Sequence, residues 1–123
     1  MLNLSLYTAT KEQLEDGVIE PSPEIKEKIE KLLTFDQTVM KEPEQLWNRA
    51  KALVGLVKRT YPGIRKVMVD CVPFFMPALV KELKEQGFEV YFSYTDTVIS
   101  EVRNEDGSTT KALVFKHLGF VTL

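Results

Sequence analysis

Apolar residues are most closely spaced between Lys66 and Gly87, where the sequence reads KVMVDCVPFFMPALVKELKEQG. Val67, Met68 and Val69 follow one another without a polar residue between them. Such a strand must be covered on both faces, as the strands of parallel sheets in α/β proteins are. An apolar loop and an amphipathic helix follow it. Because ligands of parallel sheets bind beyond the carboxyl ends of the strands, this loop marks the region of a candidate site.

The remaining pattern predicts alternating strands and helices. Residues 2–7 alternate apolar and polar positions, which is typical of a strand, and Thr10 with Gln13 predicts a capping box for a short helix that ends at Gly17. Further on we expect a brief strand over 18–20, helices from Pro23 and Pro43, a break over 34–43, a helix from Pro77 to Gly87, and strands over 88–95, 97–103 and 109–115. The dipeptide Asp106-Gly107 predicts a hairpin between the last two strands.

These elements predict the fold class. The chain of 123 residues is long enough for one domain with a modest core, and we expect a single α/β domain over residues 1–123. Alternating strands and helices favour a three-layer, Rossmann-like sandwich with a mainly parallel sheet. The C-terminal antiparallel β-hairpin would form one edge of that sheet, and this edge could pair across a homodimer.

Composition narrows the possible partners. There are 16 Lys and Arg against 18 Asp and Glu, and this net charge of −2 argues against binding duplex nucleic acid through bulk charge. The single cysteine allows no internal disulfide and suits a reducing cytosol. No apolar run approaches the roughly 18 residues that span a membrane, and the first residues lack the features of a signal peptide. We therefore expect a cytoplasmic protein.

Hydroxyl side chains gather after the first predicted strand, at Ser5, Tyr7, Thr8 and Thr10. If the first strand is the neighbour of the central strand, these hydroxyls face Asp70 and Phe74. They would suit a ribose or a phosphate, although ordinary turn and cap chemistry would also account for them. Asp70 itself either caps the following loop or faces the pocket, since a carboxylate in an apolar strand needs a hydrogen-bonding partner.

The loop VPFFMP contains no glycine, which excludes a glycine-rich phosphate cradle. Phe74 and Phe75 could stack on a base, a contact worth about 1–3 kcal/mol, or they could be core or dimer contacts. We predict no cofactor and no metal site, because the lone histidine, His117, has no acidic or sulfur ligand near it in sequence. Cys71 is a poor nucleophile in apolar surroundings.

His117 and its neighbour Lys116 are the candidates for catalysis. His117 could act as a general base, or it could be a strand-edge or interface residue. Lys116 could pair with a phosphate or point to water. A small hydrolase based on His117 would require an acidic partner within hydrogen-bond reach of the ring.

Three stretches carry a family resemblance: LNLSLYTATKEQLEDG, VIEPSPEIKEKIEKL and VMVDCVPFFMPALVKELKEQG. In order they resemble the opening strand, the proline-led helix and the central ligand loop of small Rossmann-like proteins of type III CRISPR systems and phages, namely CARF sensors and short ring nucleases. The resemblance implies a homodimer that binds a cyclic oligoadenylate at the strand ends, and in some members cleaves it without metal through the ribose 2′-OH. The hairpin tail and the aromatic FFMP loop depart from that pattern.

Two functions follow as hypotheses. The first is a nucleotide-binding domain, with Thr8, Thr10, Phe74 and Phe75 at the mouth of the site and Asp70 supporting it. If it is an enzyme, such a domain would cleave a cyclic oligonucleotide by positioning and charge stabilisation. The alternative is a non-enzymatic phage or defence accessory protein that binds another protein through the FFMP loop and the hairpin edge.

Overall fold

The computed structural model describes residues 1–36 and 42–122. Its elements are β1 (Leu2–Ser5), α1 (Lys11–Glu15), α2 (Pro23–Leu33), α3 (Pro43–Thr60), β2 (Lys66–Asp70), α4 (Met76–Glu85), β3 (Glu89–Arg103) and β4 (Thr109–Thr122). Half of the predicted break over 34–43 lies outside the described residues, because it includes residues 37–41.

The four strands form one sheet in the order β1-β2-β3-β4. β1 pairs with β2 and β2 with β3 in parallel, whereas β3 and β4 form an antiparallel hairpin. The predicted α/β class, mainly parallel sheet and C-terminal hairpin are therefore confirmed. The first and central strands are neighbours, and Ser5 at the end of β1 is opposite Asp70 at the end of β2.

The long helices lie together on one face of this sheet. Leu33 of α2, Leu53 of α3 and Leu79 of α4 share one buried cluster with Leu4 and Val69 of the strands. Parallel crossovers are right-handed, so a chain that steps from β1 to β2 to β3 in one direction places its helices on the same side. The other face has a small cluster of Ala9, Val18 and Met68 beside α1. A three-layer Rossmann-like sandwich is not confirmed, because the strand order never reverses.

Helix boundaries follow the predicted signals closely. Oγ1 of Thr10 accepts from the backbone N–H of Gln13 at 3.2 Å, and Oε1 of Gln13 accepts from the backbone N–H of Thr10 at 3.0 Å, which completes the capping box. Gly17, at φ 99°, follows the end of α1 as predicted. α4 begins at Met76, one residue before the predicted start. Among the described helices none has the length and apolar character needed to cross a bilayer.

Several strand predictions were wrong in their extent. The segment 18–20 makes a single bridge, between Ile19 and Leu2, instead of a strand. The strands predicted over 88–95 and 97–103 are one continuous strand, β3, and β4 continues to Thr122. No glycine or proline interrupts the chain at Asp96, so the ladder to β4 runs on through it.

The hairpin extends far beyond the rest of the sheet. β2 pairs with β3 only as far as Tyr91, and the strands beyond it pair only with each other. We call residues 96–103 and 109–116 the arm. Its turn is the predicted one, with Gly107 at φ 86°. The arm exposes apolar side chains, most fully at the cross-strand pair Ile99 and Leu113, which are 68% and 73% exposed.

Candidate functional site

A cavity of about 700 Å³ opens at the carboxyl ends of β1, β2 and β3. Its polar lining consists of Ser5, Tyr7, Thr8, Thr10, Gln13, Asp70, Ser93 and Thr95. Its apolar lining consists of Met68, Val69, Met76 and Phe92. The cavity lies where the central apolar strand ends, as the strand pattern predicted, and it offers hydroxyl groups on one side and thioether and aromatic surface on the other.

A buried polar network beneath the cavity fixes the loop between β1 and α1. Asn3, fully buried, donates from Nδ2 to the carbonyl oxygen of Tyr7 at 2.8 Å and to Oε1 of Glu20 at 2.6 Å. Its Oδ1 accepts from the hydroxyl of Ser5 at 2.7 Å. Glu20 also accepts from the backbone N–H of Ala9 at 2.6 Å. Each buried polar atom is thereby satisfied, which holds the loop in one conformation.

Lys26 completes this network from α2. Its Nζ donates to the carbonyl oxygens of Ser5 at 2.9 Å and Tyr7 at 2.8 Å, and lies 3.9 Å from Oε2 of Glu20. These carbonyl oxygens lie at and just beyond the end of β1. The lysine supplies donors to them where the strand's own hydrogen bonding ends. Asn3, Glu20 and Lys26 were not predicted from the sequence, because a polar strand residue and charges before or on a helix look like ordinary solvated positions.

The predicted hydroxyl cluster divides into two roles. Ser5 is buried and its hydroxyl is engaged by Asn3, so its contribution to the cavity wall is mainly structural. Thr10 lines the cavity while capping α1. Thr8 and Tyr7 are exposed at the cavity, and they are the members of the cluster best placed to meet a ligand.

Asp70 lies at the open end of β2 and lines the cavity. The surrounding protein removes water from its carboxyl group and thereby raises its pKa. The neighbouring Cys71 thiol has its pKa raised to about 11, first by burial and then by the charge of Asp70. A thiol with that pKa is protonated at neutral pH, which agrees with the expectation that Cys71 is not a nucleophile.

The two phenylalanines of the loop lie away from the cavity, which corrects their predicted place at its mouth. Phe75 is fully buried in the main core, and its ring centroid lies 4.9 Å from that of Phe35. Phe74 is 43% exposed and meets the edge of Phe35 at 5.2 Å. Neither residue lines the cavity. Both rings contact Phe35, just after α2, and Phe75 belongs to the main core instead of the site.

His117 does not itself line the cavity, but it is hydrogen-bonded to Ser93, which does. Its Nδ1 lies 2.5 Å from the hydroxyl of Ser93, and its Nε2 lies 3.2 Å from Oδ2 of Asp16. The side chain of His117 is only 4% exposed, whereas Asp16 lies at the surface. The acidic partner that a histidine base would require is therefore present. Lys116 is exposed, faces Asp96 across the hairpin and does not line the cavity.

A bulge in the hairpin places the histidine. Tyr94 pairs with Gly119 but Thr95 pairs with His117, so β4 carries one extra residue, Leu118. Bulges re-aim side chains next to functional sites. Here His117 reaches the same face as Ser93, and its ring lies 4.6 Å from that of Phe120.

Sequence reasoning missed the part of the cavity that β3 supplies. Ser93 and Thr95 are polar at alternate positions of a strand otherwise rich in aromatic residues, which was the available signal. Their hydroxyl oxygens lie 3.2 Å apart, and Nε2 of Gln13 donates to Ser93 at 3.2 Å. Only the three-dimensional neighbourhood of β3 and α1 shows that these groups converge.

The lining carries one carboxyl group and no cationic side chain. Among the described residues that line the cavity, Asp70 is the only carboxylic acid, and no lysine, arginine or histidine is present. Across residues 1–36 and 42–122, no three His, Cys, Asp or Glu side chains gather in a group that could hold a metal ion. The cavity can therefore offer hydroxyl, amide and carboxyl groups to a ligand, together with apolar contact.

Comparison with known proteins gives a family match. The model described as Uncharacterized protein MJ1673 family matches residues 1–121. No curated protein and no solved structure matches the chain. The matched stretch includes every residue that lines the cavity.

Proposed function

The chain belongs to the MJ1673 family, and from its cavity we propose that it is a small nucleotide-binding domain that holds the nucleoside part of its ligand there. The single observation that carries the proposal is the lining at the strand ends, which joins hydroxyl and carboxyl groups to apolar surface in one cavity of about 700 Å³. That volume lies within the range of roughly 300–1,000 Å³ that small-molecule sites occupy.

The cavity offers suitable groups to both the ribose and the base of a nucleoside. The carboxyl group of Asp70 and the hydroxyls of Thr8 and Thr10 can hydrogen-bond to the hydroxyls of a ribose. Met68 and Met76 offer polarizable sulfur to a base, and thioethers make favourable contacts with aromatic rings. Tyr7, exposed beside the opening, replaces Phe74 as the aromatic residue that could stack on the ligand.

Phosphate groups would lie outside the cavity. Its described lining has no cationic side chain and includes Asp70, so an anion inside would be repelled. A cyclic oligonucleotide would therefore place one nucleoside in the cavity and leave its ring of phosphates at the opening. A homodimer could hold such a ligand between two openings. Phosphodiester cleavage is not part of the proposal, because neither of its candidates, Lys116 and His117, lines the cavity.

A thermal-shift series of nucleosides, mononucleotides, dinucleotides and cyclic oligonucleotides tests this function. A ligand at about 100 times its dissociation constant stabilises the folded state by about 2.7 kcal/mol. We expect a shift with a nucleoside or nucleotide that Thr8→Ala and Asp70→Asn reduce. Thr97→Ala is the matched control, since Thr97 is an exposed threonine of the arm. Absence of any shift, or equal shifts in all three variants, would contradict the proposal.

A second candidate function is binding of another protein by the arm, and the exposure of Ile99 and Leu113 favours it. Adjacent apolar side chains on a two-stranded ribbon are typical of interaction surfaces. Light scattering and pull-downs with wild type and an Ile99→Ser, Leu113→Ser variant test it. Val121→Ser is the control, because Val121 is an exposed apolar residue of β4 outside the arm. Loss of association only in the double variant would support the arm as the binding surface.

A further inference from the structure

We infer that Ser93 is a nucleophile activated by His117, that Asp16 positions the imidazole, and that the cavity hydrolyses an uncharged carboxylic ester. The inference uses the same cavity as the proposed function but does not depend on nucleotide binding. It rests on the chain of hydrogen bonds from Asp16 through His117 to Ser93.

The hydrogen bonds fix the direction of proton flow. A carboxylate only accepts, so Nε2 of His117 carries the proton that is donated to Asp16. In the neutral ring Nδ1 then accepts, and the hydroxyl of Ser93 donates to it at 2.5 Å. This is the arrangement in which a base withdraws the proton of a serine, while a carboxylate holds the tautomer and orientation of the ring. The roles of the two ring nitrogens are exchanged relative to the familiar triad, which the chemistry allows.

The burial of the three groups fits these roles. Ser93 lines the cavity, where a substrate can reach it. His117 is 4% exposed, so its ring is held between the serine and the carboxylate. Asp16 remains at the surface, where a charged carboxylate costs little.

Two neutral donors surround the nucleophile. Nε2 of Gln13 and Oγ1 of Thr95 each lie 3.2 Å from Oγ of Ser93. An oxyanion that forms on a carbonyl carbon bonded to Ser93 would lie within reach of both groups. With no cation in the described lining and with Asp70 present, an uncharged ester is a better substrate than a phosphodiester.

The reaction balances with water as the only co-reactant. The Oγ–H bond of Ser93 breaks, its proton moves to Nδ1 of His117, and Oγ bonds to the carbonyl carbon. The ester C–O bond then breaks, and the leaving alcohol takes the proton from His117. Water attacks the acyl-serine and gives a proton to His117, after which the acid leaves and Ser93 recovers the proton.

The test combines covalent labelling with turnover. The folded full chain is treated with an alkyl fluorophosphonate, and mass spectrometry locates the modified residue. Hydrolysis of p-nitrophenyl butyrate is followed in parallel. We expect labelling at Ser93 in the wild type, and a loss of kcat of at least about 100-fold in Ser93→Ala and His117→Gln, since general acid–base catalysis contributes roughly 10²–10⁴-fold. Ser100→Ala is the matched control, a serine farther along β3 that should leave both readouts unchanged.

The role of Asp16 is tested by measuring kcat and KM separately, because a purely structural role would not lower kcat alone. Asp16→Asn should lower kcat with little change in KM, and Asp16→Glu should restore part of kcat. Wild-type protein that is neither labelled at Ser93 nor active on the ester overturns the inference, and so does hydrolysis that persists in Ser93→Ala. Labelling of the wild type requires no variant to fold. Nucleoside thermal shifts on Ser93→Ala report separately on the proposed function.

Discussion

The side-chain amide of Asn3 donates to the carboxylate of Glu20 across 2.6 Å, and this bond ties β1 to the segment that precedes α2. The same carboxylate oxygen holds the backbone N–H of Ala9 at 2.6 Å. One acidic side chain therefore fixes both ends of the loop that carries Tyr7 and Thr8 into the cavity. The shape of the candidate site depends on this bond as much as on the residues that line it.

Glu20→Ala should destabilise the protein and loosen this loop. The change leaves a buried amide group of Asn3 and the N–H of Ala9 without their acceptor, which costs about 1–3 kcal/mol. Urea unfolding measures this cost. Glu24→Ala is the control, because Glu24 is a highly exposed member of an i,i+4 pair with Lys28 and should change stability by less than about 0.5 kcal/mol. Equal effects of the two changes would show that the network does not stabilise the fold.

Phe75→Ala and Phe74→Ala should differ sharply in stability. Phe75 is fully buried, and deletion of a buried phenylalanine ring costs about 3–5 kcal/mol. Phe74 is nearly half exposed, so its loss should cost much less, mainly the edge contact with Phe35, where such pairs contribute about 0.5–1.5 kcal/mol. Guanidinium unfolding at equilibrium compares them. Neither side chain lines the cavity, and a loss of ligand binding in a folded Phe74→Ala variant would contradict this placement.

The sequence predicted the elements that local chemistry determines. Thr10 with Gln13 and the prolines at the helix starts set the helix boundaries, and the unbroken apolar run of β2 predicted a parallel sheet. The sequence did not predict on which face of the sheet the helices pack. Whether a crossover returns to the same face depends on the direction in which the strands are added, and that direction is not a local property.

The candidate site was predicted only in outline. The cavity lies at the end of β2, where a site was predicted, and Thr8, Thr10 and Asp70 line it. Phe74 and Phe75 were predicted either at the mouth of the site or in the core, and the structure places Phe75 in the core. The sequence could not decide between these alternatives, because two adjacent aromatics in a loop look alike whether the following helix buries them or exposes them. The contact of Ser93 with His117 depends on the hairpin register and on a one-residue bulge, for which an isolated sequence gives no signal.

Cys71 should react slowly with alkylating reagents until the solution becomes strongly alkaline. With its pKa raised to about 11, roughly one thiol in a thousand is ionised at pH 8, against about a quarter for a free cysteine with a pKa near 8.5. The rate of iodoacetamide modification should therefore rise about tenfold per pH unit between 8 and 10. Asp70→Asn should increase the rate, because it removes the second cause of the shift. Modification of the folded protein as fast as that of the urea-unfolded chain would contradict the burial of this thiol.

Asp70 should make the protein less stable as the pH rises. Desolvation raises its pKa in the folded state above the ordinary value of 3.8, so between these two values the folded chain binds more protons than the unfolded chain. Stability then falls with increasing pH through that interval. Asp70→Asn removes the titration, so its unfolding midpoint should exceed that of the wild type at pH 7, by a margin that shrinks toward pH 4.

The contribution of Asp106 to stability should depend on pH in the opposite direction to that of Asp70. Its pKa is lowered because it accepts from the hydroxyl and the backbone N–H of Ser108, at 2.6 and 2.9 Å. The stability that it contributes is present above pH 3.8 and is lost as the pH falls through the lowered value. Asp106→Asn should therefore be slightly less stable than the wild type at pH 7. Urea midpoints of the three proteins from pH 2 to pH 7 compare the directions of the two pH dependences, with the change for Asp106 expected below pH 4. A wild type that gains stability relative to Asp70→Asn as the pH rises would show that the cavity stabilises the charged form of Asp70, as a fixed cation nearby would.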